Sequence, residues 1–154
     1  METKSIERLN QLHPLIRQKA LDAYNEAVRV TPVGVHPYIT QTIRTFKESD
    51  DLYAQGRTKK GNIVTNAKAG QSYHNYGLAL DFVNQVDGVA KWTVDKNWIT
   101  VINVFKKHGF VAGIDFKSIP DAPHFEMTLG YTWKQLLALY NAGKVDANGY
   151  VIIK

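Results

Sequence analysis

The sequence predicts an α+β domain, and two observations carry that prediction. Apolar residues recur at helical spacing near both ends of the chain and again around residue 100, while β-branched or alternating segments lie between them. Its 154 residues, 44% apolar and 21% charged, fit one domain over residues 1–154, with no internal repeat and no linker to a second.

Ile6, Leu9, Leu12, Ile16, Ala20, Tyr24 and Ala27 form a helical stripe, so residues 5–30 read as helix with Ser5 as N-cap. Pro14 marks either a break or the first turn of a second helix. His13 in this segment, and His36 in the turn-rich connector 31–37, read as packed or surface histidines rather than ligands. The β-branched run 38–44 predicts a strand ending in Arg44. A guanidinium there is either a surface cation or, facing a cleft, a binder of a carboxylate or a developing oxyanion.

Residues 45–54 read as a short helix, 55–58 as a loop and 61–67 as a short strand or extended loop. From Leu78 the chain alternates, placing Leu80 and Phe82 on one strand face and Ala79, Asp81 and Val83 on the other. A turn over 84–88 and a short strand over 90–94 follow. Asn97 then caps a helix whose stripe is Trp98, Ile99, Ile102 and Phe105, closed by Gly109. His108 in its last turn suits the helix dipole. Phe110 starts a strand, and Pro120 and Pro123 pin a turn. Beyond that turn, His124 and Glu126 share one face while Phe125 and Met127 share the other. Trp133, Leu136, Leu137 and Tyr140 make a last helix, capped near Gly143. Residues 146–149 read as a turn, since no Glu follows at calcium-loop spacing, and 150–153 as an edge strand.

Composition narrows the chemistry. With no cysteine, a disulfide frame, a thiol nucleophile and a Cys-based zinc site are excluded, so any metal must be held by His, Asp or Glu. The N-terminus lacks an apolar export segment and no run is long enough to span a bilayer, so neither Sec-type export nor stable membrane insertion is expected. A net charge of +5 favours an anionic partner, but the basic residues are scattered and Arg57, Lys59 and Lys60 have no interleaved aromatics. Nucleic acid is therefore not the expected partner.

Asp81 is the residue that demands explanation, because a lone carboxylate in a buriable strand is costly unless a partner or a metal compensates it. His74, Asp81 and His124 form a common donor set for a catalytic zinc with one open position. The same three could form a hydrogen-bond network without metal. A hydrolytic site also needs a carboxylate that takes the proton of water and hands it to a leaving amine. Asp121, held between two prolines, fits that role, and Glu126 is the rival, fitting equally well a position that supports His124 or faces substrate.

Ser72-x-His74-x-x-Gly77-x-Ala79-x-Asp81, followed by Asp121-x-Pro123-His124-Phe125-Glu126, resembles the two-part signature of the zinc peptidases of the D-alanyl-D-alanine carboxypeptidase and VanY/VanX-like family. Their fold is shared with the Hedgehog signalling domain. Segments 52–58, 63–67, 71–77 and 133–137 are similar to the L-alanyl-D-glutamate endopeptidases of bacteriophage endolysins and their bacterial wall-lytic relatives, and the resemblance covers residues 9–150. It implies a small antiparallel sheet flanked by helices, with zinc in the cleft held by His74, Asp81 and His124. It also implies Asp121 as general base and then acid, and Arg44 as the group that steadies the scissile carbonyl oxygen or the substrate. Ser72 would hydrogen-bond near the ligands, Gly77 and Ala79 would be spacers that leave the cleft open, and Arg57 or a nearby lysine would meet the D-glutamyl carboxylate.

The implied activity is hydrolysis of the L-alanyl-D-glutamate bond of the peptidoglycan stem by zinc-activated water. The implied protein is a monomeric endolysin without a separate wall-binding module. It would be made in the host cytoplasm and reach the wall through a holin or through lysis. Two alternatives stay open: a D,D-carboxypeptidase or dipeptidase acting on D-Ala-D-Ala, and a non-catalytic, zinc-containing wall-binding domain.

Overall fold

A computed structural model describes residues 2–154. Two helices, α1 (Glu2–Leu9) and α2 (Pro14–Val30), open the chain where one was expected. The break follows from Pro14, which has no N–H to donate and so starts the second helix, while the His13 side chain caps it by accepting from Leu15 N at 3.2 Å. Ser5 is therefore not a cap. It lies buried inside α1, where its Oγ accepts from Ile39 N at 3.0 Å and ties the helix to the sheet.

Strand β1 (Val35–Gln41) begins and ends three residues earlier than the β-branched run suggested, so Arg44 lies beyond it, just before helix α3 (Phe46–Ala54). A reciprocal Thr45–Glu48 capping box fixes the start of α3. Residues 61–67 contain no strand. Strand β2 (Ala79–Val86) runs through part of the expected 84–88 turn; the reversal is Asp87-Gly88, both at positive φ, leading into β3 (Val89–Lys91). Helix α4 (Lys96–Lys107) is capped by Asp95, whose carboxylate accepts from Asn97 N and Trp98 N, not by Asn97. Strands β4 (Val111–Ala112) and β5 (His124–Glu126) and helix α5 (Trp133–Asn141) complete the chain. The expected 150–153 strand reduces to one bridge, Val145 to Val151.

The sheet is antiparallel, in the order β1-β2-β5-β4, with β3 also paired to β2. One edge of β2 is taken by β1, and the other is divided between β5 near Ala79–Asp81 and β3 near Asn84–Val86. Helices flank it as a small antiparallel sheet requires for burial. Phe82, Trp98, Phe105 and Phe125 form a continuous aromatic stack, with centroid separations of 4.5 Å for Phe82–Trp98 and 4.4 Å for Phe105–Phe125. Because side chains alternate along β2, burying Leu80 and Phe82 turns Asp81 to the opposite face. Among the described residues no helix is long and apolar enough to cross a membrane.

His13, His36 and His108 have structural contacts. His13 Nε2 lies 2.7 Å from Val151 O, His36 lies beside the Tyr24 hydroxyl, and His108 pairs with Glu26 across α2 and α4.

Candidate active site

His74 sits on a 3-10 helix, Tyr73–Tyr76, whose first turn is fixed by its own polar residues. Ser72 Oγ accepts from His74 N, and Asn75 Oδ1 accepts from Ser72 N. Asn75 Nδ2 donates to Arg44 O and Ser49 Oγ, while Arg44 N donates to His74 O at 3.0 Å, so the two segments hold each other. The His74 ring is oriented by Nδ1–H donating to Thr42 O at 2.7 Å. That bond requires a proton on Nδ1 and leaves Nε2 facing Asp81 Oδ1, 3.3 Å away.

Sheet register supplies the other two groups. Asp81 is directly opposite His124 on β5, and on its other side opposite Gln41, where a bulge at Thr40 shifts β1. His124 Nδ1 lies 3.1 Å from Asp81 Oδ1, and its Nε2 lies 2.8 Å from Glu126 Oε1. One ligand atom each from His74, Asp81 and His124 fall within 4.8 Å of one another, all three groups being largely buried. Burial would raise the Asp81 carboxyl pKa, but the hydrogen bonds from His124 and His74 outweigh it and hold Asp81 well below the usual carboxylate range. Burial likewise acts to lower His124, yet its bonds to Asp81 and Glu126 raise it to about 9.

The donor set fits a metal ion. Each imidazole has one nitrogen committed to an orienting acceptor, Thr42 O or the Glu126 carboxylate, and turns the other to a shared anionic oxygen. This is the arrangement by which histidine ligands are held, and the group could bind a metal.

Asp121 reaches toward the cluster, with Oδ2 4.0 Å from His124 Nδ1. Burial and the neighbouring Asp81 raise its carboxyl pKa against the pull of His124, His74 and Arg44. Arg44 donates from Nη2 to Gln41 Oε1 at 2.7 Å, while its buried Nε has no hydrogen-bond partner among the described residues. Burial lowers its pKa, opposed by Asp81, Glu48 and Asp121. Two cavities meet at Asp121 and His124. One, of about 370 Å³, contains Arg44, Ser72, His74 and Asp81, and the other, of about 780 Å³, is walled by Ile63, Phe116, Ile119 and Trp133.

Two expectations are corrected here. Arg57 lines neither cavity: it stacks 3.9 Å from the Tyr53 ring centroid and donates to Tyr53 O, Thr65 O and Asn66 Oδ1, clamping the loop after α3. Gly77 is not a cleft spacer either. It closes the 3-10 helix at φ 68°, and a Cβ there would lie 2.8 Å from His13 N, on the α1–α2 connection. Ala79 is fully buried and pairs with Glu126.

Several positioning groups carried no sequence signal. The Thr42 carbonyl is backbone. Trp98, apparently a plain core residue, donates its indole N–H to Ala122 O beside Asp121. Gly113 packs against the Asp121 backbone with an ordinary φ.

The chain is similar to known peptidases. The M15 peptidase family described as D-alanyl-D-alanine carboxypeptidase matches residues 65–127, a span that includes all three ligand-type residues and Asp121. The peptidoglycan L-alanyl-D-glutamate endopeptidase CwlK of Bacillus subtilis (strain 168) is 46% identical over 127 residues, covering 77% of this chain and 74% of that protein. The crystal structure of the Serratia marcescens L-Ala D-Glu endopeptidase ChiX superposes with a TM-score of 0.62 at 19% identity, covering 84% of this chain and 90% of that one, which establishes a shared fold.

Proposed function

The chain belongs to the M15 peptidase family, and from that membership we propose that it hydrolyses peptidoglycan at the bond between L-alanine and D-glutamate of the stem peptide. The observation that carries this reading is the convergence of His74, Asp81 and His124 beside Asp121, where two cavities meet.

His74 through Nε2, Asp81 through Oδ1 and His124 through Nδ1 would hold zinc. Bound there, zinc supplies Lewis acidity and brings the pKa of a coordinated water to about 7. The chain's own groups do the rest. Asp121 takes the proton of the attacking water and returns it to the D-glutamyl amine as that leaves, a role its raised pKa suits. Arg44, charged at any working pH, faces the negative charge that grows on the carbonyl oxygen. Glu126, bonded to His124 Nε2, holds that imidazole in place, which leaves Asp121 as the proton carrier. Ser72 fixes His74 through its backbone N–H.

The same reading makes residues 1–154 one zinc peptidase domain, working as a monomeric lytic enzyme of the endolysin kind. The +5 charge draws it to anionic wall polymers, and a holin or another breach of the membrane opens the way to the wall. Digestion of purified wall, followed by labelling of the new amino termini, tests the bond. A new D-glutamyl amine is expected; free D-alanine without it would mean a D,D-carboxypeptidase instead.

A further inference from the structure

The two cavities differ in lining: Asp121 and His124 belong to both, while Arg44 and Asp81 belong to the smaller alone. Among the described residues, Arg44 is the only lysine or arginine lining either of them, and it lies in the smaller. Apolar side chains wall the larger: Ile63, Phe116, Ile119 and Trp133 line it alone and Val64 lines both, with Ile63, Val64 and Ile119 more than half exposed. Exposed apolar groups gathered around a groove mark a surface that is covered when occupied.

The substrate in the reading above, on which this inference rests, is divided in the same way. On the amino side of the scissile bond stands L-alanine, a methyl side chain whose nitrogen is itself acylated by the glycan strand and is therefore uncharged. On the carboxyl side, D-glutamate continues through its γ-carboxyl and keeps an α-carboxylate. We propose that the apolar groove receives the L-alanyl residue together with the acyl group on its nitrogen, and that the D-glutamyl α-carboxylate lies in the Arg44 lobe. The chain direction across Asp121 and His124 is thereby fixed: glycan side toward Ile63 and Trp133, peptide side toward Arg44. Thr65, which lines both cavities, stands where the two halves of the substrate join.

Charge placed at Ile63 tests the direction, since this position is exposed and lies on a loop outside every helix and strand. Three synthetic peptides serve as probes: N-acetyl-L-Ala-γ-D-Glu-L-Lys, the same peptide with a free alanyl ammonium, and the acetylated peptide with its α-carboxylate amidated. In Ile63→Asp the free-ammonium peptide gains on the acetylated one by about three- to fivefold in kcat/KM, the scale of a half-exposed ion pair. In Ile63→Lys it loses by a similar factor, and neither variant changes the ratio between α-carboxylate and α-amide. If Ile63→Lys instead favours the α-carboxylate over the α-amide, or if no ratio moves, the assignment is overturned. Should the parent enzyme cut none of the three peptides or the wall itself, it is the endopeptidase reading that fails, a result distinct from either.

Discussion

Gly113 and Asp121 touch backbone to backbone: Asp121 N donates to Gly113 O at 2.8 Å, and a methyl group on Gly113 would collide with the Asp121 carbonyl oxygen and come within 2.9 Å of His124 Cβ. The carboxylate assigned to proton transfer is thus seated on a position that admits only glycine. Gly113→Ala must displace the 121–124 turn. Its kcat on wall substrate is expected to fall about 100-fold, as misplacement on the scale of an ångström does, while far-UV circular dichroism stays that of the parent. Unchanged kcat would show that this seat does not position Asp121.

Asp121 and Glu126 are expected to separate cleanly. Asp121→Asn lowers kcat by about 10²- to 10⁴-fold with metal content unchanged, since it removes proton transfer and no ligand. Glu126→Gln weakens metal affinity by about 10- to 100-fold, measured by competition with a chromophoric chelator, because His124 loses its orienting carboxylate. The reverse pattern would exchange their roles.

Trp98 joins the aromatic core to the site through its bond to Ala122 O at 3.1 Å. Trp98→Phe leaves that carbonyl without its donor and opens space around a fully buried ring, costing about 1–3 kcal/mol of stability in denaturant titration. A loss of kcat larger than the stability change explains would mark loosening of the 121–123 turn.

Glu26 links stability to acid. Hydrogen bonds from Lys107 and then His108 hold its carboxyl below the ordinary value of 4.5. A depressed folded pKa means the stabilisation is full above about pH 4.5 and disappears as pH falls through the lower folded value. Glu26→Gln therefore melts below the parent at pH 7, and the gap narrows as the pH falls below about 4.5. A gap that persists in acid would assign the difference to packing.

Much of this was legible in the residues. His74, Asp81 and His124 stood out as ligand types with nothing else in the sequence to explain a carboxylate on the alternating strand, and the structure places them together because register pairs Asp81 with His124. The alternation after Pro123 correctly put His124 and Glu126 on one face. Element ends were less legible. Arg44 fell outside its strand because pairing with β2, not β-branching, sets where β1 stops. Asp95 displaced Asn97 as a cap, since both are good capping residues and local sequence does not rank them. Arg57 looked like a free cation, and only the fold shows its donors taken by Tyr53 O in the last turn of α3 and by Thr65 O.

The central claim is a catalytic metal held by His74, Asp81 and His124. Metal content of the purified protein, measured beside wall hydrolysis with and without chelator, tests it most directly. One zinc per chain is expected, with hydrolysis lost to the chelator and restored by added zinc. A metal-free protein that hydrolyses wall at the same rate in chelator would contradict the account.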